Sequence, residues 1–368
     1  MSCIKHESSM ILLIDGLGTS GKAVLRGLLE GHPNFFVTPN HDMIVDCLCS
    51  FESDDWLKYK DILELRSMLS NTYYYQLEWF TYRKYLDYDM SVKDRCEFAF
   101  DLDFYNFDRM WMECLNKENE WTPQIVATHI LKSMLESWSG YPYEKENIKY
   151  YTSMGFDRPN TANSFVKYYP NGKMIYLIRS INAIIATRSN RRPVADDMRS
   201  MCLLETTPEK LVKSNHVRKL INKQKEVEEA AKLYPDKIMI VDFDEMIINT
   251  ESTMKNISTF LGVDFHESML TCKVMGKEMV TKSGDKYVGK VLDDPNKLLN
   301  DFQKAIIDMD ISLKNCRKYT NNFFAIFFII FLRIKRVWLK LRVNLAKMIA
   351  PEIKESLNNK WKRDGFFD

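Results

Sequence analysis

Paired cysteines, a signal-peptide core and an excess of one charge are all missing from this sequence. Its eight cysteines are scattered without a Cys-x-x-Cys pair, which disfavours a disulfide framework or a zinc site and favours a reducing compartment. The 52 basic and 50 acidic residues give a net charge of +2, which disfavours nucleic acid as a partner. The opening residues MSCIKHESSM contain no apolar stretch of the signal-peptide kind, so we expect a cytoplasmic protein.

Glycine and proline are also scarce, at 13 and 11 of 368 residues, which excludes a fibrous or low-complexity chain. Short aliphatic runs alternate instead with helical patterns. Strands are predicted at 10–14, 35–39, 124–130, 148–153, 172–180 and 237–243. Helices are predicted at 182–189, 208–233 and 249–263 and over most of 43–122. This alternation predicts an α/β fold of three layers, in which helices cover both faces of a parallel sheet.

The carboxyl-terminal part differs in composition from the rest, so we divide the chain into a domain at 1–310 and a segment at 311–368. No acidic residue occurs from 311 to 351, whereas nine Lys or Arg do. The apolar run 323–332 has ten residues, and a helix needs roughly 20 to span a bilayer. A basic, amphipathic segment of this kind predicts a helix that lies on a membrane surface, here the inner face. The alternative is a helix that packs on the domain or on a second subunit.

The clearest motif is GLGTSGKA at 16–23, placed between a predicted strand and a predicted helix. It matches the phosphate-binding pattern G-x-x-x-x-G-K, in which backbone N–H groups and a lysine surround an anion. The pattern predicts a P-loop-type fold and a phosphate site at Gly18, Thr19, Ser20, Gly21, Lys22 and Ala23. A nucleoside triphosphatase needs Ser or Thr after the lysine to bind magnesium, and Ala23 has no side-chain oxygen. We therefore expect no metal.

A second stretch of the sequence supports a different function. IMIVDFDE at 238–245 is an aliphatic strand that ends in Asp242, Asp244 and Glu245, like the acidic motif of ATP-hydrolysing enzymes. A P-loop kinase or ATPase is thus the alternative function, although Ala23 disfavours it.

The loop and the residues after it resemble the 5′-phosphosulfate loop of the sulfotransferase family, G-x-x-R-S-G-T-T-x-L-x-x-L-L-x-x-H-P. The positions in register are Gly16, Ser20, Gly21, Leu25, Leu28, Leu29, His32 and Pro33. The stretch KMIYLIRSINAIIATRSNR resembles the family's 3′-phosphate element and places Arg179 and Thr187 on its Arg and Ser. IVDFDEMIINTESTMKNISTFLGV is similar to a third element, and VMGKEMVTKSGDK at 274–286 to a late glycine-lysine segment. The resemblance covers residues 10 to 285.

This resemblance implies a sulfotransferase that uses 3′-phosphoadenosine 5′-phosphosulfate as co-substrate and needs no magnesium. The chain departs from the family at three places. Thr19 replaces the loop's Arg or Lys, Lys22 replaces its first Thr, and Ser180-Ile181 replace Asp-Pro. We infer that Lys22 supplies the positive charge at the loop. A degenerate member that binds nucleotide without catalysis is the other alternative.

The general base is predicted among three sites. Some family members have an acid shortly after the second strand, which points to His41 and Asp42 in TPNHDM. Others use a His in a K-T-H segment at a strand end, which points to His129 in ATHI. The family's usual interval before Arg179 falls near Asp157. We favour the His41–Asp42 pair, because it lies close to the loop and at the carboxyl end of a strand.

The acceptor is predicted to be a hydroxyl of a glycan or of a lipid-linked glycan. The aromatic segment 73–88 provides rings on which a sugar could stack. The alternative for these aromatic residues is an ordinary place in the core.

Overall fold

The computed structural model describes residues 10–38, 44–49, 61–69, 102–155, 160–189 and 216–279, with 304, 307, 308, 311, 312, 330, 331, 334 and 337. His41, Asp42, Asp157, the aromatic segment 73–88 and residues 280–286 lie outside the described residues. The chain divides into two compact units. The first is Met1–Arg179 with Lys223–Leu292, and the second is Ser180–Asn222 with Asp293–Asp368. The domain boundary expected at 310 stays a prediction.

A parallel five-stranded sheet forms the centre of the first unit, with the strand order β2-β3-β1-β4-β5. Its strands are β1 (Met10–Gly16), β2 (Phe35–Phe36), β3 (Tyr150–Met154), β4 (Lys173–Ile178) and β5 (Ile238–Asp242). Because the strands are parallel, their carboxyl ends meet at one edge of the sheet. A separate antiparallel pair is formed by β6 (Lys273–Val274) and β7 (Lys277–Glu278).

The helices described begin with α1 (Lys22–Leu29), α2 (Ile44–Cys49), α3 (Ile62–Leu69), α4 (Phe104–Leu115) and α5 (Pro123–Ser137). They continue with α6 (Thr161–Tyr168), α7 (Ile181–Ser189), α8 (His216–Leu233), α9 (Phe243–Ile248) and α10 (Thr250–Leu261). A short 3-10 turn follows at Glu267–Leu270.

The core of the first unit has one apolar layer on each face of the sheet. Leu12 and Ile14 pack with α1, α9 and α10, whereas Ile11 and Leu13 pack with the group of helices from α2 to α6 and with α8. Neighbouring residues of β1 therefore face opposite layers, and both are buried because helices cover both faces. This arrangement confirms the predicted three-layer α/β fold.

The strand predictions at 10–14, 148–153, 172–180 and 237–243 are confirmed, the one at 35–39 is confirmed only at Phe35–Phe36, and the one at 124–130 is wrong. Those residues belong to α5, which begins with Pro123 after the N-cap Thr122, whose side chain accepts from the Ile125 N–H. Thr-Pro is a helix-start signal that outweighs the β-branched content of QIVATHI. The buried residues of α5 also recur at helical spacing, as Val126, Ile130 and Met134 show.

In the carboxyl-terminal segment, the residues at 330, 331, 334 and 337 are helical. Ile330, Phe331, Ile334 and Val337 are exposed there. Among the helices described, none combines the length and the apolar content that crossing a bilayer requires.

Candidate phosphate-binding site

The loop between β1 and α1 packs so closely that two of its positions accept only glycine. Gly21 has φ 101°, and a Cβ built there would lie 2.0 Å from Cδ2 of Phe243. A Cβ on Gly16 would lie 2.5 Å from Ser20 Oγ and 2.6 Å from the Leu177 carbonyl oxygen. Glycine has no Cβ atom and therefore avoids both of these clashes. The predicted loop residues therefore form one tight turn at the carboxyl end of β1.

This turn brings several hydrogen-bond donors together at the amino-terminal end of α1. The helix α1 begins at Lys22, directly after Gly21, so the N–H groups of its first turn point out of its amino-terminal end, although that of Val24 donates to the Gly21 carbonyl at 2.9 Å. Ser20 is fully buried, and its Oγ has no hydrogen-bond partner among the residues that the structure describes. Helix N–H groups and a buried hydroxyl are donors that suit the oxygens of a phosphate group.

Lys22 turns its side chain inward from the start of α1. Its Nζ donates to the carbonyl oxygens of Gly16 and Gly155, each at 2.8 Å, and lies 3.5 Å from Asp15 Oδ1. Lys22 is 8% exposed and Asp15 is fully buried. The ammonium group therefore lies at the carboxyl ends of β1 and β3, beneath the loop, where it adds positive charge to the site.

Arg179 follows β4 directly and reaches the same loop. Its Nη1 donates to the carbonyl oxygen of Thr19 at 3.4 Å, and its Nε lies 3.8 Å from Asp244 Oδ1. Its Cζ lies 4.7 Å from the centre of the Phe243 ring. Burial lowers the pKa of the guanidinium group, and the charges of Asp244 and Asp242 act in the opposite direction. At so high an ordinary pKa the group keeps its charge, and its planar donors suit a phosphate.

The acidic residues after β5 have local partners. The Asp242 side chain caps α9 by accepting from the Glu245 N–H at 3.0 Å. Glu245 in turn accepts from Asn249 Nδ2 at 2.7 Å. Within the described residues, no group of three or more His, Cys, Asp or Glu side chains is arranged to hold a metal ion.

The first residues of the segment 274–286, which resembles the family's glycine-lysine segment, are hydrogen-bonded to the end of α1. The Gly276 N–H donates to Glu30 Oε1 at 2.7 Å, and the Tyr143 hydroxyl donates to the same oxygen at 3.3 Å. Burial raises the pKa of Glu30, whereas these two hydrogen bonds lower it. The turn between β6 and β7 is therefore held on the helix that follows the phosphate-binding loop.

His129 does not lie at a strand end, contrary to the prediction from ATHI. It lies in the middle of α5, and its Nε2 is 2.9 Å from Glu118 Oε1. Its role as a base stays a prediction, as do those of His41, Asp42 and Asp157, which lie outside the described residues. Thr187 lies on α7 in the second unit, where its hydroxyl donates to the Ala183 carbonyl at 2.7 Å.

Sequence analysis missed Phe243, Gly155 and Asp15 as parts of this site. Gly155 follows β3, and a Cβ on it would lie 2.6 Å from Asp15 Cγ. The signal that could have found Gly155 and Phe243 is their position at the end of a predicted strand. All carboxyl ends of a parallel sheet share one edge, so the first residue after each strand is a candidate.

The fold and the site together define an α/β protein with a tight glycine loop, a lysine and an arginine gathered at the carboxyl edge of its parallel sheet. The model of the sulfotransferase family matches residues 12–267, which is more than half of the chain. The chain therefore belongs to the sulfotransferase family, whose members are transferases. No curated protein matches it.

Three solved structures are similar to the chain at low identity. The sulfotransferase domain from the Synechococcus PCC 7002 olefin synthase is 13% identical, with 83% of this chain and 97% of that chain covered and a TM-score of 0.47. The sulfotransferase domain from the curacin biosynthetic pathway is 16% identical, with coverages of 82% and 89% and a TM-score of 0.42. Retinol dehydratase in complex with androsterone and inactive cofactor PAP is 13% identical, with coverages of 81% and 78% and a TM-score of 0.32.

Proposed function

We propose that this protein transfers a sulfuryl group from 3′-phosphoadenosine 5′-phosphosulfate to a hydroxyl of its acceptor. One observation carries the proposal. The phosphate-binding loop and Arg179 lie together, joined by the contact of 3.4 Å between Arg179 Nη1 and the Thr19 carbonyl. A donor with a 5′-phosphosulfate and a 3′-phosphate needs two anion-binding elements, and the family resemblance assigns the loop to the first and Arg179 to the second.

The residues present fit such a donor. The buried Ser20 hydroxyl, without a partner among the described residues, and the N–H groups at the start of α1 would hold oxygens of the 5′-phosphate. Arg179 would hold the 3′-phosphate through its planar donors.

The donor supplies an activated sulfuryl group, and the chain has to stabilise the charge left on the 5′-phosphate. Lys22 is suited to this role, because its ammonium group lies beneath the loop and is largely removed from water, where a charge acts more strongly. The acceptor hydroxyl also has to lose its proton to a base within hydrogen-bond reach. We propose the His41–Asp42 pair for this step, with His129 and Asp157 as the alternatives.

The residue at position 23 favours sulfuryl transfer over ATP hydrolysis. Ala23 follows the loop lysine and offers no oxygen to a magnesium ion that would bridge β- and γ-phosphates. Calorimetric titration with 3′-phosphoadenosine 5′-phosphate, with and without magnesium, and with ATP, tests the difference. We expect magnesium-independent binding of the first ligand that is weakened at least tenfold in Arg179→Ala. Magnesium-dependent binding of ATP alone would establish the rival function.

A matched control for this titration is Arg109→Ala. Arg109 is also an arginine of the first unit, but it pairs with Glu113 on the exposed face of α4 at 2.9 Å. Its removal should leave the affinity within about twofold of wild type, because an exposed pair contributes little. Equal losses in Arg109→Ala and Arg179→Ala would mean that net charge, and not the site, determines binding.

For the acceptor we propose a glycan or lipid-linked glycan, reached at the inner surface of a membrane. The exposed side chains of Ile330, Ile334 and Val337 recur at the spacing i, i+4, i+7, which places them on one face of a helix. The surrounding sequence from 311 to 351 has nine basic residues and no acidic one. An apolar face within a basic segment is typical of binding to an anionic lipid surface.

Flotation with vesicles tests the membrane part of the proposal. Wild-type protein should float with vesicles that contain phosphatidylserine and much less with neutral vesicles. Ile334→Glu combined with Val337→Glu should reduce the bound fraction severalfold, because charges on the apolar face oppose burial in lipid. Leu233→Glu changes an exposed leucine elsewhere and should leave flotation unchanged. Flotation that survives the double change would contradict this surface.

A further inference from the structure

We propose that Phe243 is the residue that positions Arg179 against the phosphate-binding loop. The inference rests on the proposed function in one respect, namely that Arg179 binds a phosphate of the donor. Phe243 itself is buried and acts through the arginine, so it is a positioning residue and not a catalytic one.

The register of the sheet brings the two residues together. In the pairing of β4 with β5, Ile178 lies opposite Asp242. Arg179 and Phe243 directly follow these two paired residues, so the chain leaves β4 and β5 at the same level of the sheet. Arg179 continues the line of β4, whereas Phe243 begins α9. Neighbouring strand ends thus present an aromatic ring beside a guanidinium group.

The Phe243 ring touches the loop on one side and faces the arginine on another. A Cβ on Gly21 would overlap ring atoms Cδ2 and Cε2, at 2.0 and 2.2 Å, so the ring lies directly against the backbone of that glycine. The guanidinium carbon lies 4.7 Å from the ring centre, within the range of a cation–π contact. Arg179 is 9% exposed, and such a contact strengthens when the cation is removed from water.

The guanidinium group also makes two polar contacts of unequal weight. Nη1 donates to the Thr19 carbonyl on the loop, and Nε faces Asp244, which is 58% exposed. The Asp244 contact is long and open to water, so it contributes little to the orientation. The ring and the Thr19 carbonyl therefore hold the group in a defined plane. An arginine held in one plane loses less entropy when it binds a phosphate.

A double-mutant cycle on the full chain tests this inference, with binding of 3′-phosphoadenosine 5′-phosphate measured by calorimetry. Phe243→Leu should weaken binding about 3- to 30-fold, which is the range of a partly desolvated cation–π contact. In an Arg179→Met background, the same change should alter the affinity by less than twofold. Equal losses in both backgrounds would overturn the inference, since Phe243 would then act on the ligand or the loop directly.

Phe260→Leu is the matched control. Phe260 also faces a cation, with Lys173 Nζ 4.8 Å from its ring centre, but Lys173 lies at the opposite end of β4. This change removes an aromatic ring from the same unit, so it should lower the thermal stability without changing the affinity beyond twofold. A comparable loss of affinity in Phe260→Leu would show that general destabilisation is the cause.

A measurement without ligand keeps this inference separate from the proposed function. In the NMR spectrum of the ligand-free protein, the Arg179 Nε–H proton should resonate upfield of the usual arginine position, because the guanidinium carbon lies over the Phe243 ring, 4.7 Å from its centre. That shift should disappear in Phe243→Leu and persist in Phe260→Leu. An unshifted proton in the wild type would overturn the positioning role. A shifted proton in a protein that binds no nucleotide would overturn the proposed function alone.

Discussion

Lys22 is one of the residues at which the loop departs from the family pattern, and its contacts show where its charge lies. The family places a positive charge three residues earlier, at the position of Thr19 here. The Lys22 ammonium lies beneath the loop with Asp15 and two strand-end carbonyls around it. The charge therefore remains at the strand ends, although it starts from another position of the loop.

This ion pair leads to a prediction that separates stability from binding. Lys22→Met removes the ammonium from beside the buried Asp15 carboxylate and should lower the free energy of unfolding by about 3 kcal/mol. Lys22→Met combined with Asp15→Asn should recover most of that stability, because the buried charge is gone. Denaturant titration gives the stabilities, and calorimetry gives the affinities. The double variant should still bind 3′-phosphoadenosine 5′-phosphate poorly, and recovered affinity would contradict the role of Lys22.

Gly21 allows a second prediction at the scale of one residue. Gly21→Ala meets both a left-handed backbone and the Phe243 ring, so it should cost about 3 kcal/mol of stability. Gly262 has φ 64°, but a Cβ built there would make only an ordinary contact of 3.6 Å with Lys149 Nζ. Gly262→Ala should therefore cost only about 1 kcal/mol. Thermal unfolding of the two variants measures the difference. Equal losses of stability would mean that the Phe243 ring moves aside easily to make room for the new Cβ.

At the scale of elements, His32 joins the end of α1 to the segment after α10. The Asn34 N–H donates to His32 Nδ1 at 3.1 Å, so the proton is on Nε2, which donates to the Asp264 carbonyl at 2.9 Å. Burial lowers the pKa of His32 from its usual 6.5. The folded protein therefore holds this ring neutral, whereas the unfolded chain takes up a proton near pH 6.5.

The sign of the resulting pH dependence follows from linkage. The contribution of His32 to stability is complete above pH 6.5 and falls as the pH is lowered from 6.5 towards the pKa of the folded state. The free energy of unfolding, measured from pH 8 to 5, should therefore decline more in the wild type than in His32→Gln. The charge of His266 also lowers the pKa of His32, so His266→Gln should reduce the wild-type decline only in part. Parallel curves for wild type and His32→Gln would contradict this account.

Local signals in the sequence predicted the strand–loop–helix unit at 10–29 and the helix at 249–263, whereas contacts between distant elements could not be predicted from them. The positions of Gly16 to Lys22 after β1 and of Arg179 after β4 were predictable because each follows an aliphatic strand. QIVATHI was misassigned because its β-branched content was weighed above the Thr-Pro start before it. Phe243 and Gly155 lie at or just after the ends of predicted strands, but their contacts depend on the order β3-β1-β4-β5, which brings residues more than 60 positions apart to one edge.

At the scale of the whole molecule, the parallel sheet explains why the loop after β1 and Arg179 meet. β1 and β4 are neighbours with Gly16 opposite Leu177, so the loop after β1 and Arg179 after β4 leave the sheet side by side. This arrangement is the physical basis for proposing a donor with two separate phosphate groups.

The most direct test of that claim compares two ligands that differ only in the 3′-phosphate. Binding of 3′-phosphoadenosine 5′-phosphate and of adenosine 5′-phosphate is measured by calorimetry in the wild type and in Arg179→Ala. We predict that the wild type prefers the first ligand at least tenfold and that the variant binds both with similar affinity, because Arg179 contributes charge-assisted hydrogen bonds to the 3′-phosphate. Equal binding of both ligands by the wild type, or a preference that survives in Arg179→Ala, would contradict the account.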